Sequence, residues 1–220
     1  MNLRYGRPLL TADTRLPAGA LLASCAILVT VLGVLFAHQD QPDRLDRAID
    51  SPVVTWFGGH QGLGKWLIFP GSLLPAGLAT AAIVAACLLA GRLNGAILAA
   101  SALLAAEALN DGLLKPLIHR TYLGVLTYPS GHTTAVFALA ATVAVLLLVP
   151  PRQPGQAGAV RVLIPVAAFA LACVVATALI GLRFHYFTDT VAGAALGTGT
   201  VCGIALLLDL PVIRRLARCG

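Results

Sequence analysis

Polar residues gather at three places in an otherwise apolar chain of 220 residues: Lys115 to Arg120, Tyr128-Pro129-Ser130-Gly131-His132, and Arg183-Phe184-His185-Tyr186-Phe187-Thr188-Asp189. Their types match the needs of phosphoryl chemistry. A phosphate ester carries two negative charges, so a site for it needs fixed cations and backbone donors. Lys115, Arg120, Arg183 and the amides of Ser130 and Gly131 at a helix start would supply them. Transfer also needs a nucleophile and a proton donor. His185 and His132 offer both. Asp189 follows His185 at one helical turn, where a carboxylate would fix the imidazole tautomer and stabilise the charge that develops on attack. This set is complete without a metal or a cofactor.

The elements that must position these residues are membrane helices. The chain is 58% hydrophobic and 11% charged, its mean hydropathy is +0.87, and apolar runs of about 20 residues recur along it, long enough to cross a hydrocarbon layer of about 30 Å. Six spans are predicted, near 17–37, 67–90, 94–118, 132–150, 160–181 and 190–209. The fold class is therefore all-α: a polytopic six-transmembrane-helix bundle forming one membrane-embedded domain over 1–220, with its core near 45–205 and cytoplasmic tails at 1–16 and 210–220. The first apolar stretch is longer than a signal peptide's and no small-x-small cleavage site follows it, so it is read as a retained span.

Charge sets the orientation. With the N-terminus inside, Arg4, Arg7, Arg15, Arg92, Arg152, Arg161, Arg214, Arg215 and Arg218 fall on the cytoplasmic side, which holds the larger share of the basic residues. The net charge of +6 then needs no nucleic-acid partner, because anionic lipid at the inner leaflet accounts for it. In this topology all three polar clusters reach the same, outer face. Cys25, Cys87, Cys173, Cys202 and Cys219 show no paired spacing and read as free thiols.

Several other segments carry structural expectations. Between spans one and two, Leu45, Ile49, Val53, Trp56 and Phe57 recur at helical spacing against Arg44, Asp46, Arg47 and Asp50, which predicts an amphipathic interfacial helix. Pro70 and Pro75 predict a kink or re-entrant start to span two. Gly193, Gly197, Gly199 and Gly203 form two interleaved small-xxx-small pairs for close helix packing. Glu107, Asp111 and Lys115 share one helical stripe, either as a buried structural group or as catalytic support. His38, His60 and His119 are left as surface or interface residues.

The order of these motifs resembles the type 2 phosphatidic acid phosphatases, membrane lipid phosphatases related to vanadium haloperoxidases. Their signature runs K-x6-R-P, P-S-G-H, S-R-x5-H-x3-D. The second part is present as Pro129-Ser130-Gly131-His132, and His185 to Asp189 keeps the H-x3-D half of the third, followed by Val191-Ala192-Gly193. The resemblance implies His185 as the nucleophile forming a phosphohistidine, Asp189 as its orienting partner and His132 as the acid for the leaving oxygen. It also implies Lys115, Arg120, Ser130 and Gly131 as the phosphate cradle. Two parts depart from the pattern. Tyr122-Leu123 stands where Arg-Pro is expected, which leaves Arg120 to take that duty, and Ala178-Leu179 stands in place of Ser-Arg. Arg183 is added to the cradle from its place two residues before His185.

Two other classes fit part of the pattern: a Ser-His intramembrane hydrolase built on Ser130, and a non-catalytic lipid-phosphate binder or flippase. Tyr128-Pro129-Ser130 lacks the glycine of a nucleophile elbow, and acyl transfer leaves the cations unexplained. An interfacial site implies an amphiphilic substrate. The resemblance suggests polyprenyl phosphate or diphosphate, phosphatidic acid, or phosphatidylglycerol phosphate, in a bacterial inner membrane. No residue selects among these lipids, and none fixes an oligomeric state.

Overall fold

A computed structural model describes residues 8–148 and 158–210. Arg4, Arg7, Arg152, Arg214, Arg215, Arg218 and Cys219, with residues 1–7 of the expected N-terminal tail and 211–220 of the C-terminal one, lie outside the described residues. The described chain is a multi-pass helical bundle. Helix α1 (Ala12–Phe36), a continuous stretch Leu93–Ile118, α7 (Gly131–Leu148), α8 (Gly158–Gly181) and α9 (Phe187–Leu208) are each long and apolar enough to cross a membrane. A sixth span is broken. Helix α3 (Gln61–Ile68) passes through a 3₁₀ turn at Phe69–Gly71 into α4 (Leu73–Leu89), with a bend of 41°. Pro70 and Pro75 sit at this break, as the sequence predicts, because proline can neither donate to the helix ladder nor accommodate the preceding turn.

Helix α9 is the centre of the bundle, packed against α1 on one side and α7 on another. Its glycines explain how. A Cβ on Gly193 would stand 2.6 Å from Ser130 O, and one on Gly197 would strike Thr134 O, so this pair admits the backbone of α7. Gly199 and Gly203 meet Cys25 and Leu22 of α1 instead. The two successive pairs thus serve two partner helices. Bringing α7 against α9 in this way also sets the Pro-Ser-Gly-His turn beside Asp189, where Ser130 N donates to Asp189 O at 3.0 Å.

The interfacial helix α2 (Arg44–Gly58) forms as expected but faces differently. Sequence periodicity put Asp46 and Asp50 on its polar, outward side. Instead Asp46 is fully buried and Asp50 half-buried, in line with Ile49, Val53, Val54 and Phe57, while Leu45 and Trp56 are exposed. The reason is the N-terminus of α9, whose first N–H groups have no partner within their own helix. Asp46 Oδ1 accepts from Thr188 N at 2.9 Å and Asp50 Oδ1 from Phe187 N at 3.1 Å. Helix α2 therefore caps α9 in trans and favours the positive end of its dipole.

Two further features escaped the sequence reading. The span Leu93–Ile118 is α5 (Leu93–Leu109), a π-helical turn at Asn110–Leu114 and a last turn α6 (Lys115–Ile118). Beyond it, β1 (Thr121–Tyr122) and β2 (Val125–Leu126) form a small antiparallel hairpin through Leu123 and Gly124, both at positive φ. At the opposite end of the bundle, Arg92 and Arg161 donate to Leu146 O and Leu147 O at the C-terminus of α7, a favourable place for cations. Gly197→Val should drive α7 off α9 and lower the midpoint of thermal unfolding in detergent, at a cost of about 1–3 kcal/mol or more. Gly77→Ala, inside α4 where no atom lies within 4 Å of the added carbon, should not lower it.

Candidate active site

The residue types singled out in the sequence converge at one end of the bundle. A cavity of about 600 Å³ opens there between α4, the Leu93–Ile118 span, α7 and the α8–α9 turn. Its polar wall is Glu107, Asp111, Lys115, Gly131, His132 and His185. Its apolar lining includes Ala76, Leu103 and Ala135 along the helices and Val125, Leu126, Leu179 and Phe184 beside the polar residues. The cavity is thus amphiphilic.

Each histidine is placed by a local device. His132 stands in the first turn of α7, and Ser130 caps that helix: its buried Oγ accepts from Thr133 Oγ1 at 3.0 Å and more distantly from Thr133 N at 3.4 Å. Across the cavity the break in the second span touches His132. Gly71 packs on its backbone, and Ser72 Oγ lies 3.5 Å from His132 Nε2. His185 follows the end of α8, where Phe184 N donates to Leu179 O and Arg183 N to Ile180 O, with Arg183 at φ 61°. That is the left-handed helix stop most often built on glycine. It turns the chain so that His185 faces inward.

Asp189 lies beneath His185 in the first turn of α9, with Oδ2 3.9 Å from His185 Nδ1. The same Oδ2 accepts from Tyr186 N at 3.1 Å. Its other oxygen receives Arg120 NH1 at 2.7 Å, and Arg120 NH2 reaches Asp46 Oδ2 at 2.5 Å. Thr188 Oγ1 joins the group, taking a bond from Arg120 and lying within 3.1 Å of both Asp46 oxygens. Arg120 is sandwiched between the rings of Phe36 and Tyr186 at 4.3 and 4.5 Å. Arg120, Asp46 and Asp189 are all 0% exposed.

Two residues expected in the cradle, Arg120 and Arg183, are not among those lining this cavity. Arg120 does not line the cavity, because two carboxylates and two aromatic rings hold it inside the protein. Arg183 is exposed and also lies outside the cavity lining. Ser130 is fully buried, with its Oγ held by Thr133, and it is not among the residues lining the cavity. Oriented so that each donor meets an acceptor, the buried Asn110 amide accepts from Gly131 N at 3.2 Å and donates to Pro129 O at 3.1 Å. The π-helical turn thereby holds the Pro-Ser-Gly-His turn. Among the lysines and arginines of the described residues, Lys115 is the one that lines the cavity, with Asp111 2.8 Å from its Nζ. Sequence reasoning missed Asp46, Asn110, Ser72 and Thr188. Asp46 gave a signal, an acid at the start of an amphipathic helix, but its partner lies 74 positions away.

Comparison with known families gives one match. A family model described as PAP2 superfamily matches residues 15–210. The chain belongs to the PAP2 superfamily. No curated protein and no solved structure matches it. PAP2 membership supports an enzyme of the phosphatase class, and with several membrane-spanning helices it suggests lipid phosphates as the kind of substrate. Among the described residues no group of His, Cys, Asp and Glu is arranged to hold a metal.

Two outcomes follow for this site in a PAP2 chain. Arg120→Ala strands two buried carboxylates, so it should cost about 3–5 kcal/mol of stability in chemical denaturation. Asp50 is pushed up to about 7 from its ordinary 3.8, first by burial and next by the charge of Asp46, with the Phe187 N–H opposing. A carboxyl raised in the folded state contributes stability below its unfolded value and loses it as pH rises toward 7. Asp50→Asn keeps an acceptor without the charge. Its unfolding midpoint relative to wild type should therefore climb between pH 5 and pH 8.

Proposed function

We propose that this chain hydrolyses a lipid phosphate or diphosphate monoester at the outer face of a bacterial inner membrane, through a phosphohistidine intermediate. The observation that carries the reading is that His132, His185 and Lys115, from three separate elements, open on one cavity whose remaining wall is largely apolar. A headgroup would meet the polar residues and the first carbons of its tail the apolar ones. The orientation rests on charge: Arg15, Arg92 and Arg161 belong to the end of the bundle away from the histidines, and basic residues mark the cytoplasmic side.

In the first step His185 Nε2 attacks phosphorus, since Nδ1 faces Asp189. The bond to the leaving oxygen breaks as His132 gives that oxygen a proton. Asp189 stabilises the imidazolium, and Lys115 offsets charge on the phosphoryl oxygens. Water then loses a proton to His132 and attacks the phosphohistidine, which releases phosphate and restores both rings. Arg120 acts one step removed, as a positioning residue for Asp189. Neither Arg120 nor Arg183 meets the phosphate in this account, which departs from the cradle expected from sequence.

Phosphate release from a detergent-solubilised lipid phosphate tests the proposal. His185→Ala should abolish it together with acid-labile labelling of the protein, and His132→Ala should lower kcat by about 10²–10⁴-fold. Vanadate should inhibit. Arg183→Gly, which relieves a left-handed residue, should keep kcat/KM essentially unchanged. A binder or flippase would show no phosphate release in any variant.

A further inference from the structure

The break in the second span turns a serine hydroxyl toward His132. Helix α4 begins at Leu73, so Ser72 is its N-cap and Pro75 stands at the third helical position. A serine at an N-cap ordinarily accepts from the second or third N–H of its helix, and a proline at the third position has none to give. Ser72 makes no capping bond at all. Among the described residues its Oγ has one partner, His132 Nε2 at 3.5 Å.

Packing holds that pair together. A Cβ on Gly71 would stand 3.0 Å from both the Cβ and the backbone oxygen of His132, and 3.3 Å from Val175 Cγ1 of α8. The 3₁₀ turn is thus wedged against the first turn of α7, which keeps the next residue, Ser72, at the edge of the ring. The separation is at the long end of the hydrogen-bond range, as catalytic contacts often are before substrate binds. The other ring nitrogen stands differently: His132 Nδ1 bonds to no described residue and is not buried, whereas His185 Nδ1 is. His132 lines the cavity and Ser72 does not. One nitrogen therefore faces the hydroxyl, and the other is left for chemistry.

We infer that Ser72 is a positioning residue for His132: its hydroxyl accepts from Nε2–H, fixes the plane of the ring and leaves Nδ1 to exchange a proton with substrate and water. This rests on the phosphatase reading and adds to it which nitrogen works. Before attack the ring carries a proton on each nitrogen. Nδ1 gives its proton to the leaving oxygen as the P–O bond breaks, and the neutral ring keeps Nε2–H on Ser72. In the second step Nδ1 takes a proton from water, while the water oxygen bonds to phosphorus and the bond from phosphorus to His185 Nε2 breaks. The Ser72 contact persists through both steps with the same donor and acceptor, which is how a neighbour of an imidazole sets its tautomer.

Two measurements on the full chain in detergent test this. In nitrogen–proton NMR spectra of protein labelled in its histidine rings, His132 should show a hydrogen-bonded proton on Nε2, assigned by its loss in His132→Ala and absent from Ser72→Ala. Phosphate release is followed with dioctanoyl phosphatidic acid or farnesyl phosphate, whichever the wild type hydrolyses. Ser72→Ala should lower its kcat by about 3- to 10-fold, the scale of one neutral hydrogen bond, with KM unchanged. Ser72→Thr, which keeps the hydroxyl, should restore the ring proton and most of kcat. A ring proton that is absent from the wild type, survives Ser72→Ala or resides on Nδ1 overturns the inference. So does a loss confined to KM, or one that Ser72→Thr fails to relieve. If the ring proton behaves as expected and the wild type releases phosphate from neither lipid, the phosphatase reading falls and the contact stands. Phosphate release with no effect of Ser72→Ala on kcat leaves that reading standing and defeats this one.

Discussion

The site depends on one buried ionic contact, the Arg120 guanidinium held between Asp46 and Asp189. Two carboxylates at 0% exposure cannot both stay ionised in an apolar bundle without a cation, and a single guanidinium has the fork geometry to serve both. Through it, three distant segments become one body: interfacial helix α2, the turn before the hairpin, and the first turn of α9. His185 is carried on that body. The contact is costly to break and contributes modestly as a whole, so its value lies in fixing geometry more than in adding stability.

A second constraint follows from the crowded start of α9. Its N–H groups are satisfied by Asp46, Asp50 and Asp189, acids drawn from two elements. Negative charge therefore accumulates under His185, while the cavity side carries Lys115 partly shared with Asp111. Fewer cations face the cavity than the family pattern implies, because Arg120 has been drawn inward to balance the acids beneath it.

Much of this was legible in the sequence. The six spans are set by hydropathy, and the break at Pro70 and Pro75 follows from proline's missing donor. Pro129-Ser130-Gly131-His132 and the spacing from His185 to Asp189 mark helix starts whatever surrounds them, and the glycine pairs of α9 announce close approach. What stayed hidden depends on partners far along the chain. Arg120 reads alike as a phosphate ligand and as the centre of a buried network, since only Asp46 decides which. The direction faced by α2 was misread for the same reason: its periodicity shows two faces, and the unpaired N–H groups of α9 choose between them. Arg183 at a left-handed stop and the π-helical turn that carries Asn110 break local preference, so no local pattern could find them.

The central claim is that Asp46 on the interfacial helix acts on His185 through Arg120. A double-mutant cycle of Asp46→Asn and Arg120→Gln, read as kcat/KM for phosphate release, measures this directly. The account predicts that the two changes are strongly non-additive, with a coupling of about 1–3 kcal/mol, because each breaks the same contact. Simple additivity of the two losses would contradict it.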